Sequence, residues 1–150
     1  MNDTSVTKYT ESRAGNYSIE MLIDYINMNL KSPSCELLGI FDLHSMIHIG
    51  NIRISEINFK HKFATIGIII GLKSFWSKGI ATEALNLSKE YFFKELKLRK
   101  FVAGIYANNT GSIKAFKNVG FEIIGTYKKH RVYDGNYIDQ HILELHSDEN

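Results

Sequence analysis

A chain of 150 residues with 44% hydrophobic side chains has the size of a single compact domain and enough apolar material for one core. Its 18 Lys and Arg against 16 Asp and Glu leave a net charge of +2, too small a surplus to point to nucleic acid as a partner. The lone cysteine, Cys35, excludes an internal disulfide and a Cys-x-x-Cys motif, which suits a reducing cytoplasm.

From the N-terminus, the stretch 1–13 is polar and lacks the apolar core of a secretory signal. Ser18 is a good N-cap for a helix to about Leu30, because Ile19, Leu22, Tyr25, Ile26 and Leu30 recur near a 3.6-residue period. Lys31 to Cys35 breaks that pattern. Glu36 to Leu43 and Ile47 to Ser55 carry β-branched and alternating residues, and the polar turn around His44 and Ser45 joins them as a hairpin. Ala64 to Gly71 reads as a central strand, buried on both faces through its isoleucines. The whole apolar run, Phe63 to Leu72, is too short for the roughly 20 residues that span a bilayer, so no membrane association is expected. Gly79 to Leu98 follows as an amphipathic helix, Lys100 to Ala107 as a strand and Gly111 to Val119 as a short helix stopped by Gly120. Phe121 to Tyr127 and Tyr137 to Leu145 complete the order as strands. Such alternation predicts a single α/β domain with a mixed sheet over the whole of residues 1–150.

The junction between the central strand and the long helix is where chemistry is expected. A helix start presents unpaired N–H groups and a partial positive charge, which favour an anion such as a pyrophosphate. Gly79 and Ala81 keep the backbone approachable there, and Lys78 and Thr82 add side-chain donors. Neither the Walker pattern nor the dinucleotide G-x-G-x-x-G is present. His44 and His48 have the spacing of a helical metal pair, but they fall in a hairpin, so no metal is expected.

The run Phe75-Trp76-Ser77-Lys78-Gly79-Ile80-Ala81-Thr82-Glu83-Ala84 resembles the acetyl-CoA signature of the GNAT N-acetyltransferases, which in the ribosomal-protein and sugar-amine branches often reads W-G-K-G-Y-A-T-E-A. A second block, Asn109-Thr110-Gly111-Ser112, Ala115-Phe116 and Gly120-Phe121, is similar to the N-x-x-S…G-F segment of the same family. The resemblance runs from about Val6 to Leu145 and implies the GNAT fold, a mixed and mostly antiparallel sheet flanked by helices. It implies that backbone at Ile69, Ile70 and Gly71 meets the pantetheine arm of acetyl-CoA where two parallel strands splay, an N–H there polarising the thioester carbonyl. Trp76, Ser77, Lys78, Gly79, Ile80, Ala81 and Thr82 would hold the pyrophosphate, and Asn109, Ser112, Phe116 and Lys117 would line the other side of the cofactor.

Departures from the family pattern bear on mechanism. Trp76 stands where the commonest form of the motif has Gln or Arg, and Phe116 where many members have the tyrosine taken as the acid for the departing thiolate. Ser112 matches the serine that fills this role in the ribosomal-protein branch and is the expected acid. Arg131 falls near the position of that branch's glutamate base. His130 beside it is the nearest imidazole to serve as base, with Asp139 and Tyr133 as further candidates, although His130 also reads as a surface histidine within the basic run Lys128 to Arg131. An acceptor amine that arrives neutral needs no strong base.

Family members begin with a strand and helix ahead of the segment that here starts Asn2-Asp3, a pair that often closes the first helix, so Met1 matches an internal methionine and the sheet is expected to lack its usual first strand. That would leave an edge open to solvent or to a second copy in a homodimer. The expected activity is direct transfer of acetyl from acetyl-CoA to a small primary amine, with a nucleotide-linked amino sugar favoured by the ending Tyr133 to Asp139. Protein N-termini of the ribosomal type are the alternative acceptor. A non-catalytic acetyl-CoA-binding module is the alternative outside enzymology.

Overall fold

The computed structural model describes residues 2–11 and 15–147. Met1 therefore lies outside the described residues, and nothing bears on its place in the family pattern. Two helices come first, a single turn α1 (Thr4–Thr7) and α2 (Ile19–Lys31). The antiparallel strands β1 (Glu36–Phe41), β2 (His48–Asn58) and β3 (Phe63–Ile70) follow. After a 3-10 turn at Lys73–Phe75 come α3 (Ile80–Glu95), β4 (Lys100–Tyr106), α4 (Thr110–Asn118), β5 (Glu122–Tyr133) and β6 (Asn136–His146). One sheet of six strands holds them in the order β1-β2-β3-β4-β6-β5.

Local chemistry accounts for the element boundaries. Ser18 caps α2 by accepting the Met21 N–H at 3.2 Å, and Asp3 caps α1 through the Ser5 N–H at 2.9 Å. Asp3 thus opens a helical turn, where the resemblance placed it at the close of one. Helix α3 stops at Glu95, short of the expected Leu98, because Lys97 takes a left-handed conformation that turns Leu98 into the core. Strand β5 runs six residues past its expected end, to Tyr133, by way of a bulge between Tyr127 and Arg131 where Lys129 has φ 51°.

The core lies on one face of the sheet, where Ile52, Ile54, Ala64, Ile66, Phe101 and Leu143 pack against Leu85 and Phe92 of α3 and Phe116 of α4. Strand β3 is central but is not buried on both faces: Ala64 and Ile66 enter the core, whereas Gly67, on the opposite face, is exposed. That second face is the wall of a cavity rather than a packed layer, which is why a run of isoleucines misled the burial expectation. Among the described residues no strand precedes β1, and β1 forms one edge of the sheet.

Candidate active site

Among the described residues β3 and β4 are the only parallel neighbours in the sheet, and they pair over three positions, Phe63 with Lys100, Ala64 with Phe101 and Thr65 with Val102. Beyond Thr65 they diverge, while β3 continues to pair with β2 as far as Ile70 and Gly50. The Gly71 N–H donates to the Ile49 carbonyl at 2.8 Å, so by the alternation of an antiparallel ladder Ile69 also bonds toward β2. Ile68 and Ile70 then turn their N–H and C=O groups into the gap toward β4. Of the three backbone positions expected to meet a pantetheine arm, Ile70 alone presents its amide there. The sequence missed Ile68, and the ladder parity that identifies it is set by the β2 register.

The Ile70 carbonyl accepts the Trp76 indole N–H at 2.8 Å. This bond pins the loop that follows β3 to the mouth of the gap. Ser77 (φ 58°) and Gly79 (φ 81°) are both left-handed, and Gly79 caps α3 without a side-chain bond. The first helical bond runs from the Glu83 N–H to the Gly79 carbonyl at 3.0 Å, which leaves the N–H groups of Ile80, Ala81 and Thr82 without helical partners. A Cβ at position 79 would meet no atom within 4 Å, so the constraint on Gly79 is its φ. Lys78 lies exposed with its ammonium 5.5 Å from the centre of the Phe75 ring. Free amides at the start of a long helix, flanked by a lysine, are the donor set a pyrophosphate requires.

Across the gap, Asn109 caps α4 by accepting the Ser112 N–H at 3.3 Å. Ser112 is half-buried, and Phe116, 2% exposed, sits edge-on to Phe121 at 4.9 Å. All three line a cavity of about 740 Å³ that passes through the gap, from the side of α4 to the second face of the sheet beneath α1 and α2. Ile69 and Gly71 line it too. Lys117 does not; it is exposed near the end of α4.

Nor does the structure bring His130 to this cavity. It is exposed on the β5 bulge, with its ring 4.9 Å from that of Tyr127. Asp139 accepts from the Lys129 N–H and the Lys128 ammonium, bonds that hold its carboxyl below the usual range and leave it a poor base. Tyr133 stacks on Tyr9 at 5.3 Å. The Arg131 guanidinium bonds Glu11 at 2.6 Å and Gln140 at 3.0 Å. The residues that sequence reasoning missed are those of the far chamber: Tyr9, Tyr17 and Tyr106, with Arg53 on β2. A usable signal was present in Ile52-Arg53-Ile54, where a cation alternates with core residues on an inner strand.

A family model described as "Acetyltransferase (GNAT) domain" matches residues 1–122. The chain belongs to the GNAT acetyltransferase family. Among curated proteins, the probable N-acetyltransferase YjcK of Bacillus subtilis (strain 168) is 32% identical over 108 residues, 71% of this chain and 59% of that protein. The spermidine N(1)-acetyltransferase of Escherichia coli (strain K12) is 31% identical over 88 residues, 59% of this chain and 47% of that protein. The aligned part of each of these relatives is thus between about half and three fifths of its length. Among solved structures, the spermidine N-acetyltransferase of Vibrio cholerae in complex with CoA and spermine superposes with a TM-score of 0.86 at 22% identity, covering 97% of this chain and 84% of that one. A GNAT-family acetyltransferase from Bacillus anthracis gives 0.83 at 24% identity, covering 98% and 84%. These likenesses show that the fold of this GNAT chain is the family's. No helix among the described residues is long and apolar enough to cross a membrane.

Proposed function

We propose that residues 1–150 form one GNAT domain that transfers acetyl from acetyl-CoA to a small primary amine in a direct ternary complex. The single observation that carries this reading is the through-going cavity, which joins the β3–β4 gap to a second chamber on the opposite face of the sheet. A thioester seated in the gap and an amine entering from the far side would meet inside it. Acetyl-CoA supplies the activated acetyl group. The chain would hold the pyrophosphate on the amides of Ile80 to Thr82 and on Lys78, steady the loop with Trp76, and offer the Ile70 N–H toward the acyl carbonyl. Ser112, half-buried on the wall, is the proposed proton donor to the departing thiolate. His130 is left out, since it lies off the cavity; the amine arrives neutral or loses its proton to solvent.

Within this reading, the polyamine acceptors named for the Escherichia coli and Vibrio cholerae proteins are the comparison set, and protein N-termini remain a second acceptor class. A nucleotide-linked amino sugar draws no support from these relatives. The deciding experiment is free-thiol release from acetyl-CoA with a panel of amines, run beside calorimetric titration of acetyl-CoA. Release that depends on an amine is expected. Binding without release from any amine would replace the enzyme with an acetyl-CoA-binding module, and absence of binding would remove both.

A further inference from the structure

We infer that the acceptor is an amine carrying its own anionic group, which Arg53 receives; this rests on the transferase reading above. The charged side chains on the cavity wall are few. Asp3 is one, but its carboxylate accepts the Ser5 N–H and hydroxyl and pairs with Lys73 at 2.9 Å, contacts that hold it well below the usual carboxylate range. Arg53 is another. Its Nε donates to the Asn29 Oδ1 at 2.8 Å, and no carboxylate among the described residues lies within ion-pair distance of it. Asn29 is 2% exposed and is itself fixed, its amide donating to the Tyr25 carbonyl at 2.7 Å and its Oδ1 also receiving the Cys35 thiol at 3.0 Å. A buried asparagine therefore orients the guanidinium from behind and leaves its terminal N–H groups for something else.

The space beside it is open. Gly67 faces Arg53 across the β2–β3 ladder, and a Cβ there would meet nothing within 4 Å. Tyr9, Tyr17 and Tyr25 supply amphipathic walls suited to an apolar or aromatic body. A polycation meets the opposite arrangement: a free guanidinium and no unpaired carboxylate on the wall. A carboxylate or phosphate on the acceptor would instead be taken by the planar fork of Arg53 while the amine points toward the gap.

The test measures kcat/KM by thiol release for matched amines: 4-(aminomethyl)benzoate against benzylamine, phenylalanine against phenethylamine, and O-phosphoethanolamine against ethanolamine, with spermidine as the polycation. The expected result is that at least one anionic member exceeds its neutral partner by about tenfold or more, the usual scale for a charge-assisted bond, and the three pairs separate carboxylate from phosphate. In Arg53→Gln that ratio falls toward one, and Arg53→Lys restores part of it. Equal rates within every pair, spermidine faster than all of them, or an Arg53→Gln ratio equal to that of the parent protein would overturn the assignment. If no amine releases thiol while acetyl-CoA binds, the transferase reading fails instead. Calorimetric binding of 4-(aminomethyl)benzoate to the parent and to Arg53→Gln then decides the role of Arg53: loss of binding in the variant upholds it, and absent or equal binding overturns it.

Discussion

The hydroxyl of Ser112 is the proposed acid, and its setting allows chemistry to be separated from binding. The Ser112 backbone N–H is tied to the Asn109 cap, so Ser112→Ala removes the hydroxyl and leaves the helix start in place. Loss of a proton donor of this kind lowers turnover by about a hundredfold or more. The expected outcome is that drop in kcat with acetyl-CoA affinity unchanged; a parallel loss of affinity, or full turnover, would remove Ser112 as the acid. Gly79 offers a different contrast. With φ 81° and open space around it, an alanine there strains only the backbone, by about 1 kcal/mol, or roughly 3 °C in the melting temperature. The left-handed turn it would strain sets up the start of α3, so if the amides there hold the pyrophosphate as proposed, acetyl-CoA affinity measured by calorimetry should fall by more than the melting temperature implies. Much of this loop's shape was legible in the sequence, because a glycine and small residues ahead of a helical stripe announce a tight turn and a helix start through backbone chemistry. Arg53 was legible only as a cation alternating with core residues on a strand; its orientation was not, because that depends on Asn29, far away in the chain, lying behind it.

Among the elements, α2 and α3 were read with equal ease from their periodicity, yet the fold treats them differently. Helix α3 buries Leu85, Ser88 and Phe92, whereas α2 buries Asn29 alone and leaves Ile19 73% and Leu30 68% exposed. The period of its stripe predicts a helix but not what the stripe meets: Leu22, Tyr25 and Ile26 face a cavity, and a 3.6-residue period cannot distinguish a packed partner from a hollow one. Fully burying one large apolar side chain contributes about 1.5–3 kcal/mol, so α2 should open far more readily than α3. Hydrogen exchange read by mass spectrometry is expected to give α2 amides about a hundredfold less protection than those from Leu85 to Phe92. Similar protection in the two helices would mean that α2 has a packing partner. The β1–β2 hairpin was legible for another reason, its short polar turn, but the bulge that carries β5 on to Tyr133 depends on the Lys129 backbone meeting Asp139 and had no local signature.

For the molecule as a whole, the sheet consists of two antiparallel halves, β1-β2-β3 and β4-β6-β5, joined along the short parallel seam at Phe63 to Thr65. The Lys100–Glu144 pair sits at this seam. Lys100 is the register partner of Phe63 on β3, and its ammonium reaches Glu144 of β6 at 2.8 Å with both side chains largely shielded. The Lys100 hydrogen bond, seconded by His146, holds the Glu144 carboxyl below its ordinary value. A carboxylate depressed in the folded state stabilises it fully above its unfolded pKa, about 4.3 for a glutamate. That contribution fades as the pH drops through the lower folded value. Glu144→Gln should therefore be less stable than the parent at pH 7, by about 1 kcal/mol, and the gap should close on acidification below about pH 4. Urea midpoints taken from neutral to acid pH would trace two curves that converge. Parallel curves would instead mean that the seam is held by packing of Phe101, Phe92 and Phe93 alone, where Phe101 of β4 meets Phe92 edge to face and stacks on Phe93 of α3 independently of pH.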